Sequence, residues 1–373
     1  MVISSLFDVS DFELASGVIH LAASGESPFL RQHMQAFIDY SIDKGRGLPG
    51  RLAQEQRLES VRSRAARLFC VPREEIGFVA NVAEGMSILS ESINWQVGDN
   101  VCIDSVDFPS VVLPFAGRKN PWVELRIAKG DDPCRLSKIV DSNTRVIALS
   151  SVSYLTGERH DLGLVRELAN SSGAILAVDF SQSAGVIPTN ASVADFAFSA
   201  CYKFLLGCTG VAIAYWNRDL QPDWEPISAG WYSVDPSEQH PDYQLHAPLK
   251  RGASRFSRGN VSYPSIYVLD QALEYLSIVS EETMSKHVVA LADTFLAGLD
   301  RLNIEPMTPR NRSRRGPSIC FSSREARDLV CRLGNRSVVV FNGGERIRFS
   351  FHGYNTSADV INAIRILGEE WRG

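Results

Sequence analysis

From about residue 76 to 217, short apolar runs rich in β-branched residues alternate with segments whose apolar positions recur at helical spacing. The runs are Ile76 to Ala80, Val101 to Asp104, Val123 to Ile127, Arg145 to Ser150, Ala174 to Asp179, Asp195 to Ser199 and Gly210 to Trp216. Between them, Val82, Met86, Leu89 and Ile93 fall on one helical face, as do Leu162, Val165, Leu168 and Ala169. A strand covered by helices on both sides is buried on both faces, so its sequence stays apolar instead of alternating. The pattern predicts an α/β fold, a mostly parallel sheet covered by helices.

Residues Pro222 to Arg258 are rich in Pro, Trp, Tyr and His without a period, which predicts a long connection over the core. Beyond it, Ile266 to Ile278 and Val288 to Leu302 have helical periodicity, and Pro317 to Ser322, Ser337 to Phe341 and Glu345 to Phe351 alternate as strands. A smaller α+β C-terminal domain is expected there. The N-terminal helix from about Phe29 to Ile42 gives no sign of which domain it joins. The expected division is an N-terminal segment over 1–50, a large domain over 51–258 and a small domain over 259–373, a plan suited to 373 residues.

Charge and cysteine usage narrow the function class. The net charge of -5 is dispersed, and the short basic stretch Arg310 to Arg315 reads as a solvated loop, so no nucleic-acid partner is expected. Seven scattered cysteines without a Cys-x-x-Cys pair predict reduced thiols and no metal site. There is no basic-then-apolar leader and no run of about 18 apolar residues, so a cytoplasmic protein without a membrane partner is expected. Neither Gly-x-Gly-x-x-Gly nor Gly-x-x-x-x-Gly-Lys-Ser/Thr follows the first strand, which argues against a nucleotide site.

The candidate chemistry lies in two residues. Asp179 closes the apolar run Ile175 to Val178, and the C-terminal end of a parallel strand faces the crevice where α/β sheets bind ligands. Lys203 follows the next strand in Tyr202-Lys203-Phe204-Leu205-Leu206-Gly207, where apolar neighbours desolvate the amine and favour its neutral, nucleophilic form. A lysine to form a Schiff base and an acid opposite a pyridinium nitrogen are the pair that holds pyridoxal phosphate (PLP). Taken singly, Asp179 reads as a helix cap or turn residue and Lys203 as a surface charge; their pairing sets them apart.

Val178-Asp179-Phe180-Ser181-Gln182-Ser183-Ala184-Gly185-Val186-Ile187-Pro188, then Asp195 and Tyr202 to Gly207, resembles in order and spacing the signature of the class V aminotransferase family. This is a group of fold type I PLP-dependent enzymes that includes kynureninases, cysteine desulfurases and isopenicillin N epimerase-like proteins. The resemblance implies Lys203 and Asp179 as catalytic residues and PLP as cofactor. It places Val82 and Ala83 at the phosphate, where the family often has threonines and this chain would use amide N–H groups at a helix N-terminus. It puts Phe108 over the cofactor ring, Gln182 against the phenolic oxygen and Tyr202 on the phosphate. Arg255-Phe256-Ser257-Arg258-Gly259-Asn260 resembles an element that serves the partner subunit's phosphate site, with Asn260 in place of threonine, which implies a homodimer with shared active sites. Arg346-Ile347-Arg348-Phe349-Ser350, ahead of Tyr354-Asn355, resembles the family's carboxylate-binding ending. Its register selects Arg348 for the substrate carboxylate and leaves Arg346 as the candidate for solvent; the residues alone allow both on an exposed edge strand.

The resemblance implies an amino acid substrate, and the expected reaction is of aminotransferase type. A PLP-dependent epimerase or lyase, kynureninase-like or desulfurase-like, is the alternative, and a non-catalytic binding module built on the same fold is a third reading. Residues 332–347 contain no cysteine to act as a desulfurase nucleophile, Cys320 and Cys331 fall in regular elements, and strict kynureninases carry histidine where this chain has Gln182.

Overall fold

The computed structural model describes residues 2–116, 123–130, 132–235 and 248–371; part of the expected 222–258 connection, residues 236–247, lies outside them. The first elements are β1 (Ile19–His20), α1 (His33–Lys44) and α2 (Leu48–Leu68). The α/β region follows with β2 (Ile76–Val79), α3 (Val82–Glu91), β3 (Asn100–Asp104), α4 (Pro109–Ala116), β4 (Glu124–Ala128), β5 (Thr144–Ser150), α5 (Leu162–Ser172), β6 (Ile175–Asp179), β7 (Phe196–Ala200) and β8 (Ala212–Trp216). Then come α6 (Tyr263–Leu276), α7 (Glu281–Arg301), β9 (Ser318–Ser322), α8 (Ala326–Asn335), β10 (Val338–Val339), β11 (Phe341–Gly343), β12 (Arg346–Ser350) and α9 (Ser357–Glu370).

The large sheet has the order β2-β8-β7-β6-β5-β3-β4. β4, β3, β5, β6 and β7 run parallel, and β8 is antiparallel to both β7 and β2. This is the expected α/β architecture, the fold type I arrangement of a mostly parallel sheet covered by helices. Every residue of β3, β5 to β8 is buried except Arg145 on β5, while edge strand β4 is largely open to solvent on its outer positions. On β6 the pleat divides the core: Leu176 and Val178 pack with Leu58 and Phe69 on one face, Ile175 and Ala177 with Met86 and Leu89 on the other. Each fully buried Leu or Val side chain stabilises the fold by about 1.5–3 kcal/mol relative to exposure.

The second sheet, β11-β12-β9, is antiparallel. The single strand expected over Ser337 to Phe341 is instead two. β10 pairs in parallel with β1, and β11 turns to pair with β12. The residue leading into β10, Ser337, has φ of +61°. β1 and the residues after it thereby stitch the N-terminal segment to the second sheet, since Ala22 bridges to Ser350.

Helix α2 has no clear apolar stripe. Its buried positions mix Leu58, Val61, Ala65 and Ala66, which join the core, with Gly50, Gln54 and Arg62, and it also docks through polar contacts. Arg57 (2.8 Å), Ser60 (2.8 Å) and Arg64 (3.0 Å) all donate to Asp270 on α6. The helix therefore fixes α6, which precedes the second sheet, against the N-terminal elements.

Candidate active site

Strands β6 and β7 end side by side, with Asp179 in register with Phe198. Asp179 is 4% exposed. The Ser181 hydroxyl donates to Asp179 Oδ1 (2.5 Å), as does the Ser181 N–H (2.8 Å), and the same hydroxyl accepts from the Ala200 N–H (2.8 Å). One serine thus ties the ends of both strands together and orients the carboxylate. Both bonds fall on Oδ1, leaving Oδ2 for a group in the cavity that Asp179 lines. Burial raises the pKa of Asp179, and the Lys203 charge and the Ser181 bonds oppose that rise.

Lys203 is presented by a tight turn after β7. Leu206 has φ of +59°, a conformation that costs a non-glycine residue about 1–3 kcal/mol. The turn is closed by Leu206 N–H to Lys203 O (3.0 Å) and Gly207 N–H to Cys201 O (2.8 Å). Phe204, Leu205 and Leu206 are buried on its inner side. The Lys203 amine lies 5.3 Å from the centroid of Phe108 and 5.6 Å from that of Tyr202. Desolvation lowers its pKa to about 8, with Arg348 acting in the same direction and Asp179 opposing.

These side chains line one cavity of about 360 Å³ that includes Asn81, Val82, Phe108, Asp179, Tyr202 and Lys203. At one wall begins α3. Its N-cap Asn81 accepts from the Glu84 N–H (2.9 Å), and Glu84 accepts from the Ala80 N–H (2.6 Å). The first helical backbone bond runs from Gly85 to Asn81 (3.2 Å), so the amides of Val82 and Ala83 precede it and are available to an anion. Gly85 lets α3 pack closely on β7: a Cβ there would lie 2.4 Å from the Phe198 ring.

Gln182 does not line the cavity. Its amide donates to the Ser24 carbonyl (3.0 Å), and Ser24 in turn bonds the Ser350 hydroxyl. That polar partner on the N-terminal segment comes from 158 residues away, and no local pattern announces it. Asn260 is exposed and accepts from Arg51 (2.9 Å). It borders a neighbouring cavity of about 350 Å³ that shares Ala80, Gly210 and Val211 with the first.

Arg348 is buried on β12 and donates to the Tyr154 carbonyl (2.7 Å). Burial, with Arg346 beside it, lowers its pKa to about 10. Arg346 is not in solvent: it is 3% exposed and donates to the same Tyr154 oxygen. β12 is the central strand of its sheet, so neither arginine sits on an exposed edge. The Tyr154 ring meets Phe108 edge-on at 5.0 Å, which links the guanidinium pair to the ring beside Lys203.

Ser181, Arg346, Tyr154 and His352 complete this arrangement and were not assigned roles from sequence. His352 Nδ1 accepts from the Gly353 N–H (2.8 Å), so Nε2 carries the proton and donates to the Phe204 carbonyl (3.0 Å). Burial lowers the His352 pKa to about 4, which keeps the ring neutral and this tautomer in place.

Residues 27–362 match the family described as Aminotransferase class-V, and the chain belongs to that family. A protein of Methanothermobacter thermautotrophicus named a probable cysteine desulfurase is 25% identical, over 96% of this chain and 95% of that protein. The kynureninase of Pseudomonas fluorescens is 29% identical, over 64% of this chain and 59% of its own. Among solved structures, the apo cysteine desulfurase of Thermococcus onnurineus NA1 superimposes with a TM-score of 0.86 at 21% identity, covering 96% of each chain. Pyridoxal phosphate is the cofactor this family membership assigns to the cavity. The donor set fits it: a desolvated amine, a carboxylate with one open oxygen, an aromatic face, and helix amides suited to a phosphate.

Proposed function

We propose that the chain is a PLP-dependent enzyme of lyase type that acts on an α-amino acid. The observation that carries the cofactor-dependent reading is the Lys203 amine, buried between Phe108 and Tyr202 and facing the Asp179 carboxylate. When bound, PLP supplies an aldehyde for the amine and an electron-accepting ring. A pKa near 8 leaves Lys203 with a useful neutral fraction at physiological pH, so it is able to take and return a proton at the substrate α-carbon. Asp179 Oδ2 would hold a proton on the ring nitrogen, and Ser181 fixes the carboxylate for that task. Phe108 and Tyr202 cover the amine and exclude water. Arg348 would grip the substrate carboxylate through its remaining N–H groups.

The lyase assignment is supported by the relatives, which are named for desulfuration and kynurenine cleavage. The aminotransferase reaction expected from sequence has only the family's description behind it. A persulfide-carrying thiol is not part of this reading: Cys320, beside Arg348 in the sheet, is buried with its thiol pKa raised, and Cys331 is exposed on α8.

We propose in addition a homodimer in which Asn260 serves the partner's phosphate site, supported by its exposure beside the second cavity. The test of function is a panel of amino acids added to the PLP-loaded protein, followed spectroscopically and by product analysis. Release of a β-substituent or side-chain fragment supports the proposal. Stoichiometric conversion of a keto acid acceptor into an amino acid, with no fragment released, would replace it with transamination.

A further inference from the structure

Among the described residues, the other buried guanidinium groups have partners for their charge or their N–H groups. Arg135 pairs with Asp104 (2.6 Å) and Glu158 (2.8 Å), and Arg315 with Asp293. Arg255 reaches no carboxylate, but its Nε donates to Lys250 O (2.9 Å) and its Nη1 to Trp224 O (2.6 Å). Arg346 and Arg348 differ. Each is 3% exposed and both side chains converge on the single Tyr154 carbonyl; like Arg315 each also has a buried Nε without an acceptor, but Arg315 has the Asp293 carboxylate for its charge. Neither pairs with a carboxylate among the described residues.

Their surroundings supply no compensating anion. The Arg346 guanidinium lies over the Tyr154 ring at 5.2 Å and that of Arg348 over the Phe341 ring at 5.1 Å, contacts that stabilise a cation without neutralising it. Cys320 faces Arg348 across the sheet, but burial holds it as the neutral thiol. Two adjacent, unpaired, desolvated cations are costly, and one substrate carboxylate offsets only one of them. Arg346 and Arg348 are two residues apart on one strand and point to the same face, and because their Nη1 groups share the Tyr154 oxygen they present a close pair of cations, suited to two anionic groups on one short molecule.

We propose that Arg346 and Arg348 together recognise an amino acid carrying a second oxyanion on a short side chain, a carboxylate or a sulfinate. Arg348 takes the α-carboxylate and Arg346 the side-chain group. This rests on the reading of the cavity as an amino acid site given above. It narrows the substrate class to acidic amino acids, and it makes Arg346 a specificity-determining residue.

The test titrates L-aspartate, L-cysteine sulfinate and L-alanine into the PLP-loaded protein while following the cofactor absorbance. Melting temperatures with maleate and with propionate give a readout independent of turnover. At least one acidic amino acid is expected to bind about tenfold tighter than L-alanine, and maleate to stabilise more than propionate. Which acid binds better separates carboxylate from sulfinate. In Arg346→Gln the preference for the acids over L-alanine collapses, and in Arg346→Lys part of it returns. L-alanine binding as tightly as both acids, or Arg346→Gln weakening acids and alanine by equal factors, overturns the inference while leaving the amino acid site standing. A spectrum that no amino acid changes removes the underlying reading as well. Should Arg346→Gln fail to fold, the wild-type preference and the Arg346→Lys variant still decide the outcome.

Discussion

His352 Nε2 donates to the carbonyl of Phe204 across 3.0 Å, one residue beyond Lys203, and so joins the segment after β12 to the turn that presents the amine. The His352 ring also stacks on Phe204, with centroids 6.2 Å apart and planes at 10°. The second sheet, which carries Arg346 and Arg348, is thereby held in register with the lysine turn.

His352→Phe keeps the stacked ring and removes both hydrogen bonds, leaving the Phe204 carbonyl and Gly353 N–H without these partners. The expected cost is about 1–3 kcal/mol, read as a lower melting temperature and weaker retention of PLP on dialysis. Unchanged melting and retention would show that the bond holds nothing in place.

Ser181→Ala removes the hydroxyl that bonds Asp179 and Ala200. A fall in kcat of about tenfold is expected from the loosened carboxylate, with KM for the amino acid moved much less. A change confined to KM would mean that Ser181 serves substrate binding instead.

Capture of PLP by the protein freed of cofactor needs the neutral amine of Lys203. The rate should therefore rise with pH with a midpoint near pH 8, the value set mainly by desolvation, and level off above it. Asp179→Asn removes a charge that favours the protonated amine, so the midpoint should move down; loss of Arg348 should move it up. Stopped-flow absorbance measures both. A midpoint near that of free lysine in the wild type would contradict the buried, apolar setting of the amine.

Acid should unfold the protein early. His20, His33 and His352 are each held near pKa 4 by burial, against about 6.5 when unfolded. The unfolded chain binds more protons between those values, so stability is full above about pH 6.5 and falls as pH drops toward 4. By pH 5 each buried histidine contributes on the order of 2 kcal/mol to that loss. Denaturant melts at pH 7 and pH 5 test it, and equal stabilities would contradict the histidine environments.

The sheet was legible because strands buried on both faces leave uninterrupted apolar runs, as in Ile175 to Val178. Asp179 and Lys203 were legible with it, since strand ends and the turns after them place residues without reference to distant chain; Phe108 came only through the family resemblance. Helix α2 was not, because its core-facing Leu58 and Val61 are interleaved with buried Gln54 and Arg62, and Arg57, Ser60 and Arg64 add bonds to Asp270 that no periodicity announces. Gln182 eluded sequence for a related reason: its partner, Ser24, comes from a remote segment. Alternation on β12 put Arg346 and Arg348 on one face, yet only the pairing of β12 between β9 and β11 shows that face to be buried.

The central claim is that Lys203 carries the cofactor. Borohydride reduction of the PLP-loaded protein, followed by digestion and mass spectrometry, tests it most directly. The account predicts a pyridoxyl mass on the peptide containing Lys203, absent from Lys203→Ala; a modification on a different lysine, or on none, would contradict it.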